Sequence, residues 1–147
     1  MFSGQGTRVV VRLLDWVASH TLVPQKIPAH QRTGRRGEED AYFHLRKTGY
    51  VMVARNFRSP RRRGEIDLIG WHNDVLCFVE VKTRTTRNVK PAELAVDYEK
   101  QRELRLVARE YLRLITGAPQ YRFDIISVYH DGQQPQFELF QNAFAVS

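Results

Sequence analysis

Cysteine is almost absent from this chain, with Cys77 as the single thiol in 147 residues. One cysteine excludes an intramolecular disulfide and suits a reducing compartment, so we expect a cytoplasmic protein. Because Cys77 stands within an apolar run, we expect it to be a small buried side chain rather than a nucleophile.

Long hydrophobic runs are missing as well. No stretch approaches the roughly 20 apolar residues of a membrane-spanning helix. Arg12 and Asp15 interrupt the apolar run near the N-terminus, which argues against a signal peptide. We therefore expect no association with a membrane.

Several common catalytic patterns are also absent. The sequence has neither of the usual Gly-rich phosphate loops, and its scattered histidines form no cluster with cysteine that would indicate zinc. No serine has an evident His and Asp partner arrangement. Each of the five histidines is expected to be a surface or turn residue.

What the chain does have is positive charge, with a formal net charge of +7. A basic surface favours nucleic acid, anionic membranes or acidic proteins as partners, and the charge alone does not choose among them. Here the charge collects in a turn, in the loop after Lys82 and on one face of a helix. Because these three segments agree in sign, we expect a nucleic acid, with contacts from Arg61, Arg62, Arg63, Arg84, Arg87, Arg102 and Arg105.

The stretch 64–82 concentrates the chemistry. Two apolar runs of strand composition flank a polar turn, which predicts a β-hairpin. Side chains alternate along a strand, so Glu65 and Asp67 share one face of the first strand, and Glu80 and Lys82 share one face of the second. If the polar faces coincide, three carboxylates and an amine converge on an apolar sheet, where charges are costly unless they are paired or hold a metal.

The remaining pattern predicts one domain of the α/β class, a mixed sheet covered by helices. Residues 1–33 are expected to be an N-terminal extension, with a short helix over Thr7–His20 and a loop over Thr21–Thr33, followed by a domain over 34–147. Expected elements are helices over Arg36–Thr48 and Pro91–Thr116 and strands over Tyr50–Phe57, the hairpin, Tyr121–Tyr129 and Gln136–Phe140. In the first of these helices, Glu38 shares a stripe with Ala41 and Leu45. It is either at the edge of the core or aimed into a site.

Asp67 and Glu80 together would suit a hard cation. Mg²⁺ binds through one or two carboxylates and takes further ligands from water and phosphates. Lys82 beside it can hold the attacking water or stabilise charge on a phosphate. An arginine-lined surface would hold a nucleic-acid backbone. Together these parts favour a metal-dependent phosphodiesterase. The alternative is an exposed strand face that carries a Glu80–Lys82 ion pair.

A set of short motifs resembles the YraN-like family of bacterial proteins. The resemblance covers about residues 34–144. Its motifs are Gly37-Glu38 opening a helix, Gly49-Tyr50, Ala54-Arg55-Asn56, Gly64-Glu65-Ile66-Asp67-Leu68-Ile69, Phe78-Val79-Glu80-Val81-Lys82-Thr83-Arg84, Pro91-Ala92-Glu93, Lys100-Gln101, Arg122-Phe123-Asp124 and Asn142-Ala143-Phe144.

This family in turn resembles the PD-(D/E)xK restriction-endonuclease-like nucleases and the archaeal Holliday-junction resolvases. The resemblance implies a central mixed sheet flanked by helices, and Mg²⁺ as cofactor with Mn²⁺ as a substitute. It implies Asp67 and Glu80 as metal ligands, Lys82 as the catalytic lysine and Glu38 as a further site carboxylate. Glu65 matches the motif, and Gln101 would contact a phosphate or water.

Three functions follow as expectations. The first is an Mg²⁺-dependent endonuclease on DNA, including branched or recombining structures, for which a homodimer would suit cleavage of both strands. The second is a catalytically inactive module that binds structured DNA or RNA, because a shared fold does not guarantee turnover. The third is a scaffold whose N-terminal extension recruits a partner.

Overall fold

The computed structural model describes residues 28–85 and 96–147. Within them the chain forms two helices and five strands. The elements are α1 (Ala29–Lys47), β1 (Tyr50–Arg58), β2 (Glu65–His72), β3 (Val75–Arg84), α2 (Tyr98–Leu114), β4 (Gln120–Tyr129) and β5 (Gln136–Phe144).

The strands form one mixed sheet in the order β1-β2-β3-β4-β5. The pairs β1–β2, β2–β3 and β4–β5 are antiparallel, whereas β3 and β4 are parallel. A parallel pair needs a crossover connection, and α2 lies in the connection between β3 and β4. The prediction of an α/β domain with a helix-flanked mixed sheet is confirmed, and the architecture is compatible with a restriction-endonuclease-like fold.

Each face of the sheet packs against a different helix. Phe78 and Phe123 face α2, where Leu104, Val107 and Ala108 complete a buried core. These three residues follow the spacing of a helix face that packs against a core. On the other face α1 packs through its own buried residues, which belong to a second core.

The α1 face of the sheet holds this second core. Ala41 and Leu45 of α1 are fully buried against Cys77, Val79 and neighbouring strand residues. Cys77 is thus the buried apolar residue that the sequence predicts. Burial, followed by the nearby negative charge of Asp124, raises the pKa of its thiol to about 12, which leaves it protonated and unreactive.

Several boundaries differ from the prediction. Helix α1 begins at Ala29, so the end of the expected loop is helical and Gly37-Glu38 lies inside a helix instead of opening one. Strand β3 continues to Arg84, which pairs with Tyr129 of β4, so Arg84 is not in a loop. Strand β5 runs to Phe144, beyond the expected end at Phe140. Pairing with β4 extends β3 and β5 beyond the residues at which their own apolar patterns end.

Helix α2 begins at Tyr98, with Asp97 as its N-cap. The Asp97 Oδ1 atom accepts from the backbone N–H of Lys100 at 2.8 Å, which satisfies one of the free N–H groups at the start of the helix. The helix predicted over Thr7–His20, residue Arg87 and the start of the helix predicted from Pro91 lie outside the described residues.

The two helices in residues 28–85 and 96–147 are α1 and α2. Neither of the helices described there is long and apolar enough to cross a bilayer.

Candidate functional site

The site is built at the point where β2 and β3 separate. Their antiparallel ladder ends at the Leu68–Val79 pair. Just beyond it, the backbone N–H of Val81 donates to Asp67 Oδ2 at 2.8 Å. A side chain has replaced the backbone acceptor of the neighbouring strand, so the Asp67 carboxylate is fixed in the fork between the strands. We call this point the strand fork.

Three carboxylates meet at the strand fork. One oxygen each from Glu38, Glu65 and Asp67 lies within 4.8 Å of the others, and we call these residues the carboxylate cluster. Asn56 of β1 joins two of them, since its Nδ2 donates to Glu38 Oε2 at 3.0 Å and to Glu65 Oε1 at 3.3 Å. Asn56 has a φ of 48°, a left-handed conformation that asparagine adopts more readily than most residues.

Glu38 reaches the cluster because α1 approaches β3 very closely. A Cβ atom on Gly37 would clash with Thr83 Oγ1, so any other residue would force either the helix or the Thr83 side chain to move. Glu38 follows directly, and its carboxylate turns toward β1 and β2. Of the two positions expected for this residue, the structure shows the second, because Glu38 points into the site.

Glu80 forms the second half of the site. It is only 6% exposed, and its Oε1 lies 3.4 Å from Lys82 Nζ and 3.7 Å from Lys100 Nζ. Among the described residues, no donor reaches Glu80 Oε2, which is buried. A buried carboxylate oxygen without a partner is costly, so this atom is suited to a further cationic or hydrogen-bonding ligand.

Asp67 links the two halves of the site. Its pKa is raised to about 8, first by burial and then by the negative charge of Glu80, with a smaller contribution from Glu38. The N–H of Val81 and the ammonium group of Lys100 act in the opposite direction. A cation placed among these carboxylates would remove the repulsion and favour the ionised form.

The donor set fits a hard divalent cation. Carboxylate oxygens are the ligands that Mg²⁺ and Mn²⁺ prefer, and the carboxylate cluster offers three of them. The predicted ligand pair was Asp67 and Glu80. The structure places Asp67 in the cluster, while Glu80 stands beside it with the lysines and is not one of the three clustered residues. Asp67 is therefore the residue at which the two polar faces of the hairpin meet, since it lies with Glu65 in the cluster and interacts with Glu80 across the fork.

The predicted nucleic-acid contacts fall into two groups. Arg61, Arg62 and Arg63 are exposed and form what we call the arginine turn, between β1 and β2. Together with Arg102 of α2 they line a groove of about 560 Å³. Arg84, in contrast, is partly buried on β3.

Gln101 and Arg105 are held by other contacts. Gln101 Nε2 donates to the carbonyl of Val96 at 2.9 Å, and Arg105 donates to Gln101 Oε1 at 3.2 Å. Arg105 also donates to the carbonyl of Ala145 at 2.9 Å and covers the ring of Phe144 at 5.5 Å. The Arg105 side chain ties the C-terminal segment to α2, and contact of either residue with a nucleic acid stays a prediction.

Two site residues were missed by sequence reasoning, Asn56 and Lys100. Lys100 stands four positions before the buried Leu104, so its helical phase already directs it toward the sheet. That signal favours Lys100 over its neighbour Gln101 as the α2 residue of the site. Asn56 offers no comparable signal, because its role depends on a backbone conformation that the sequence does not fix.

A second polar cluster lies on β4, away from the strand fork. Asp124 is 1% exposed and accepts from Arg122 Nε at 2.8 Å and from the Tyr50 hydroxyl at 3.1 Å. Arg122 also contacts His72 Nδ1 at 3.1 Å, and the His72 ring stacks on Tyr50. His72 is therefore part of a packed polar network, whereas the sequence predicted a surface or turn residue.

His130 differs from the prediction in a similar way. Its Nε2 lies 2.8 Å from Asp40 Oδ2 of α1. Its backbone N–H donates to the carbonyl of Arg84 at 2.9 Å. His130 thus joins the end of β4 to α1.

Comparison with known sequences identifies the protein family of this chain. The model of the uncharacterised protein family UPF0102 matches residues 37–128. The chain belongs to this family. A UPF0102 protein of Koribacter versatilis is 51% identical over 96% of both chains. One from Solibacter usitatus is 45% identical over 76% of this chain and 84% of its own length, and one from Geobacter metallireducens is 39% identical over 78% and 93%.

Membership of UPF0102 confirms the resemblance to the YraN-like proteins. The matched region contains the strand fork, the carboxylate cluster, Glu80 and both lysines. The site is therefore built within the part of the chain that defines the family.

Proposed function

We propose that this UPF0102 protein is an Mg²⁺-dependent endonuclease that hydrolyses phosphodiester bonds in DNA. The observation that carries the proposal is the meeting of the carboxylate cluster with Glu80, Lys82 and Lys100 at one strand fork. An acidic group that can hold a hard cation, next to ammonium groups that can hold a phosphate or a water, is the arrangement that phosphodiester hydrolysis needs.

The roles follow from the positions of the side chains. Glu38, Glu65 and Asp67 would hold the cation, and Glu80 Oε2 is a further available ligand. When bound, Mg²⁺ supplies positive charge against the phosphate and lowers the pKa of a water molecule. Asn56 orients two of the carboxylates through its amide group.

The lysines provide the fixed positive charge. Lys82 and Lys100 are both partly exposed and both lie against Glu80 Oε1. Each ammonium group has three donors, so either can keep its contact with Glu80 while it donates to a phosphate oxygen or to the attacking water. Glu80 thus positions the amines, and the arginine turn binds the backbone of the DNA.

A second function, binding of structured DNA or RNA without turnover, is favoured by one observation. The two lysines already compensate the negative charge of Glu80 without a metal ion. In that case the groove beside the arginine turn would bind the nucleic acid, and the affinity would depend on salt but not on metal.

Cleavage assays separate these functions. Supercoiled plasmid and four-way-junction DNA are incubated with the protein in Mg²⁺, in Mn²⁺ or in chelator. The proposal expects cleavage only with metal, and its loss in Lys82→Ala but not in the control Lys47→Ala, whose exposed side chain lies at the end of α1. Absence of metal-dependent cleavage, or equal cleavage by Lys82→Ala, would contradict the proposal.

Cleavage of a symmetric junction has a further requirement. Cutting both strands needs two sites related by a two-fold axis, which a homodimer provides. Light scattering of the protein with and without junction DNA measures the mass, and we expect two protein chains on each junction.

A further inference from the structure

The groove beside the arginine turn has an unusual lining. An exposed aromatic ring, four arginines and two glutamates surround about 560 Å³. The lining residues are Arg61, Arg62, Arg63, Tyr98, Glu99, Arg102, Glu103 and Leu106. Tyr98 is 73% exposed, so its ring presents a large free surface at the first turn of α2.

Helical spacing places Tyr98 beside Arg102. Residues four apart lie on the same face of a helix, with an axial separation of about 6 Å. The ring and this guanidinium group therefore open to the same groove, opposite the arginine turn. An aromatic platform next to positive charge is the combination with which proteins bind single-stranded nucleic acid, where bases stack on the ring and the charges follow the phosphates.

The groove adjoins the strand fork. Gly64 follows the arginine turn with a φ of 94°, and a Cβ atom there would lie 3.1 Å from Glu103 Oε2, so the end of the turn rests against α2. The next residue is Glu65 of the carboxylate cluster. On the helix side, Lys100 contacts Glu80 and lies two positions from both Tyr98 and Arg102, so it is on a different face of α2 from the groove. The groove and the strand fork are therefore linked through Gly64 and Glu65.

We propose that this groove binds unpaired nucleotides, with a base stacked on Tyr98 and the neighbouring phosphates held by the arginine turn and Arg102. The inference rests on the proposed function and names its substrate class, which is a nucleic acid with a single-stranded stretch next to the bond that is cut. A continuous duplex hides both faces of each base in its stack, so it offers phosphates to the arginines but no base to Tyr98. Glu99 and Glu103 can accept from the amino groups of an exposed base.

The test measures binding without cleavage. A Lys82→Ala background in chelator is titrated with three probes, namely a single-stranded oligonucleotide, a blunt duplex and a forked duplex, and binding is followed by fluorescence anisotropy. Tyr98→Ala should weaken binding of the single strand and the fork by about tenfold, the loss expected for one stacked base. Binding of the blunt duplex should not change.

Two variants serve as controls. Tyr98→Phe keeps an aromatic ring and should keep the affinity. Leu114→Ala removes a side chain that is 72% exposed at the opposite end of α2 and should have no effect.

A fluorescent base reports the stacking itself. A 2-aminopurine base in the single strand should lose its fluorescence on binding when the protein retains Tyr98 or carries the Tyr98→Phe substitution, because stacking on the ring quenches it. The base should stay bright on binding to Tyr98→Ala.

The outcomes distinguish this inference from the proposed function. An unchanged affinity of Tyr98→Ala for the single strand, or an equal loss with the blunt duplex, would overturn the inference even if the protein cleaves DNA. A Tyr98-dependent loss restricted to unpaired probes would support it even if no cleavage occurs under any condition. Absence of binding to all three probes would overturn the inference alone, because the proposed endonuclease is tested separately by cleavage with Mg²⁺.

Discussion

Replacing Asp67 with asparagine should make the metal-free protein more stable at alkaline pH. The variant keeps the acceptor for the N–H of Val81, since the asparagine Oδ1 can take the place of Asp67 Oδ2. It removes a negative charge that is partly buried and faces Glu80 and Glu38. The change therefore isolates the electrostatic cost of the site from its hydrogen bonding.

The magnitude follows from the pKa of Asp67, which rises from its ordinary value of 3.8 to about 8 in the folded protein. One pKa unit corresponds to about 1.4 kcal/mol, which gives an upper value of about 6 kcal/mol once the group is ionised. Because Glu80 shares the repulsion, we expect a measured difference on the order of 2–4 kcal/mol. The folded pKa is raised, so the stability present at low pH is lost as the pH increases from about 4 to about 8.

Urea unfolding in chelator tests this prediction. The free energies of unfolding of the wild-type protein and Asp67→Asn are compared from about pH 5 to about pH 9, which spans the upper part of this titration. The difference should grow toward the folded pKa of about 8, in favour of the variant, and then level off. Mg²⁺ should restore the stability of the wild-type protein and leave the variant unchanged. A difference independent of pH, or a variant that is less stable at the alkaline end, would show that the buried charge of Asp67 does not destabilise the fold.

Three further predictions concern packing and charge. Gly37→Ala should destabilise the protein by about 2 kcal/mol or more in urea unfolding, because the new Cβ clashes with Thr83. The control Gly34→Ala, where the new Cβ meets open space, should stabilise α1 by about 0.5–1 kcal/mol. Equal effects of the two substitutions would contradict the close helix–strand contact. Arg122→Ala should cost about 3–5 kcal/mol because it leaves the buried Asp124 without its cation, and a loss below about 1 kcal/mol, the value of a surface pair, would show that the pair is dispensable. Charge reversal of the arginine turn should weaken DNA binding and reduce the slope of log affinity against log salt by about one for each lost phosphate contact, and an unchanged slope would remove the turn from the interface.

The hairpin could be predicted from the sequence because its signals are local. Alternation of apolar and polar residues sets the faces of β2 and β3, and the Asn73-Asp74 turn joins them. The same alternation placed Asp67 and Glu80 toward one another. The stripe that contains Ala41 and Leu45 likewise predicts the buried face of α1. Glu38 lies on the same stripe, which directs it toward the sheet.

The construction of the site could not be predicted in this way. The strand fork depends on where the β2–β3 ladder stops, and the bond from Val81 to Asp67 appears only when both strands are in place. The approach of Gly37 to Thr83 is a contact between distant segments, and no local pattern reports it. Lys100 could have been found from its helical phase, but its pairing with Glu80 depends on how α2 docks on the sheet.

The buried ion pair on β4 shows the same limit. The mostly apolar residues around Asp124 predict a strand, but they do not identify the groups that bind its carboxylate. Its partners come from β1 and from β5, since the Tyr50 hydroxyl and the N–H of Asn142 both donate to its carboxylate. Only the assembled sheet brings these groups together.

The proposed function depends on binding of a divalent cation by the carboxylates at the strand fork. Crystals grown with Mn²⁺ and measured at the manganese absorption edge test it directly, because the anomalous signal locates the ion. We expect one peak in contact with Asp67 and with at least one of Glu38, Glu65 and Glu80, and no such peak in Asp67→Asn. Occupied manganese sites elsewhere, with none touching Asp67, would contradict it.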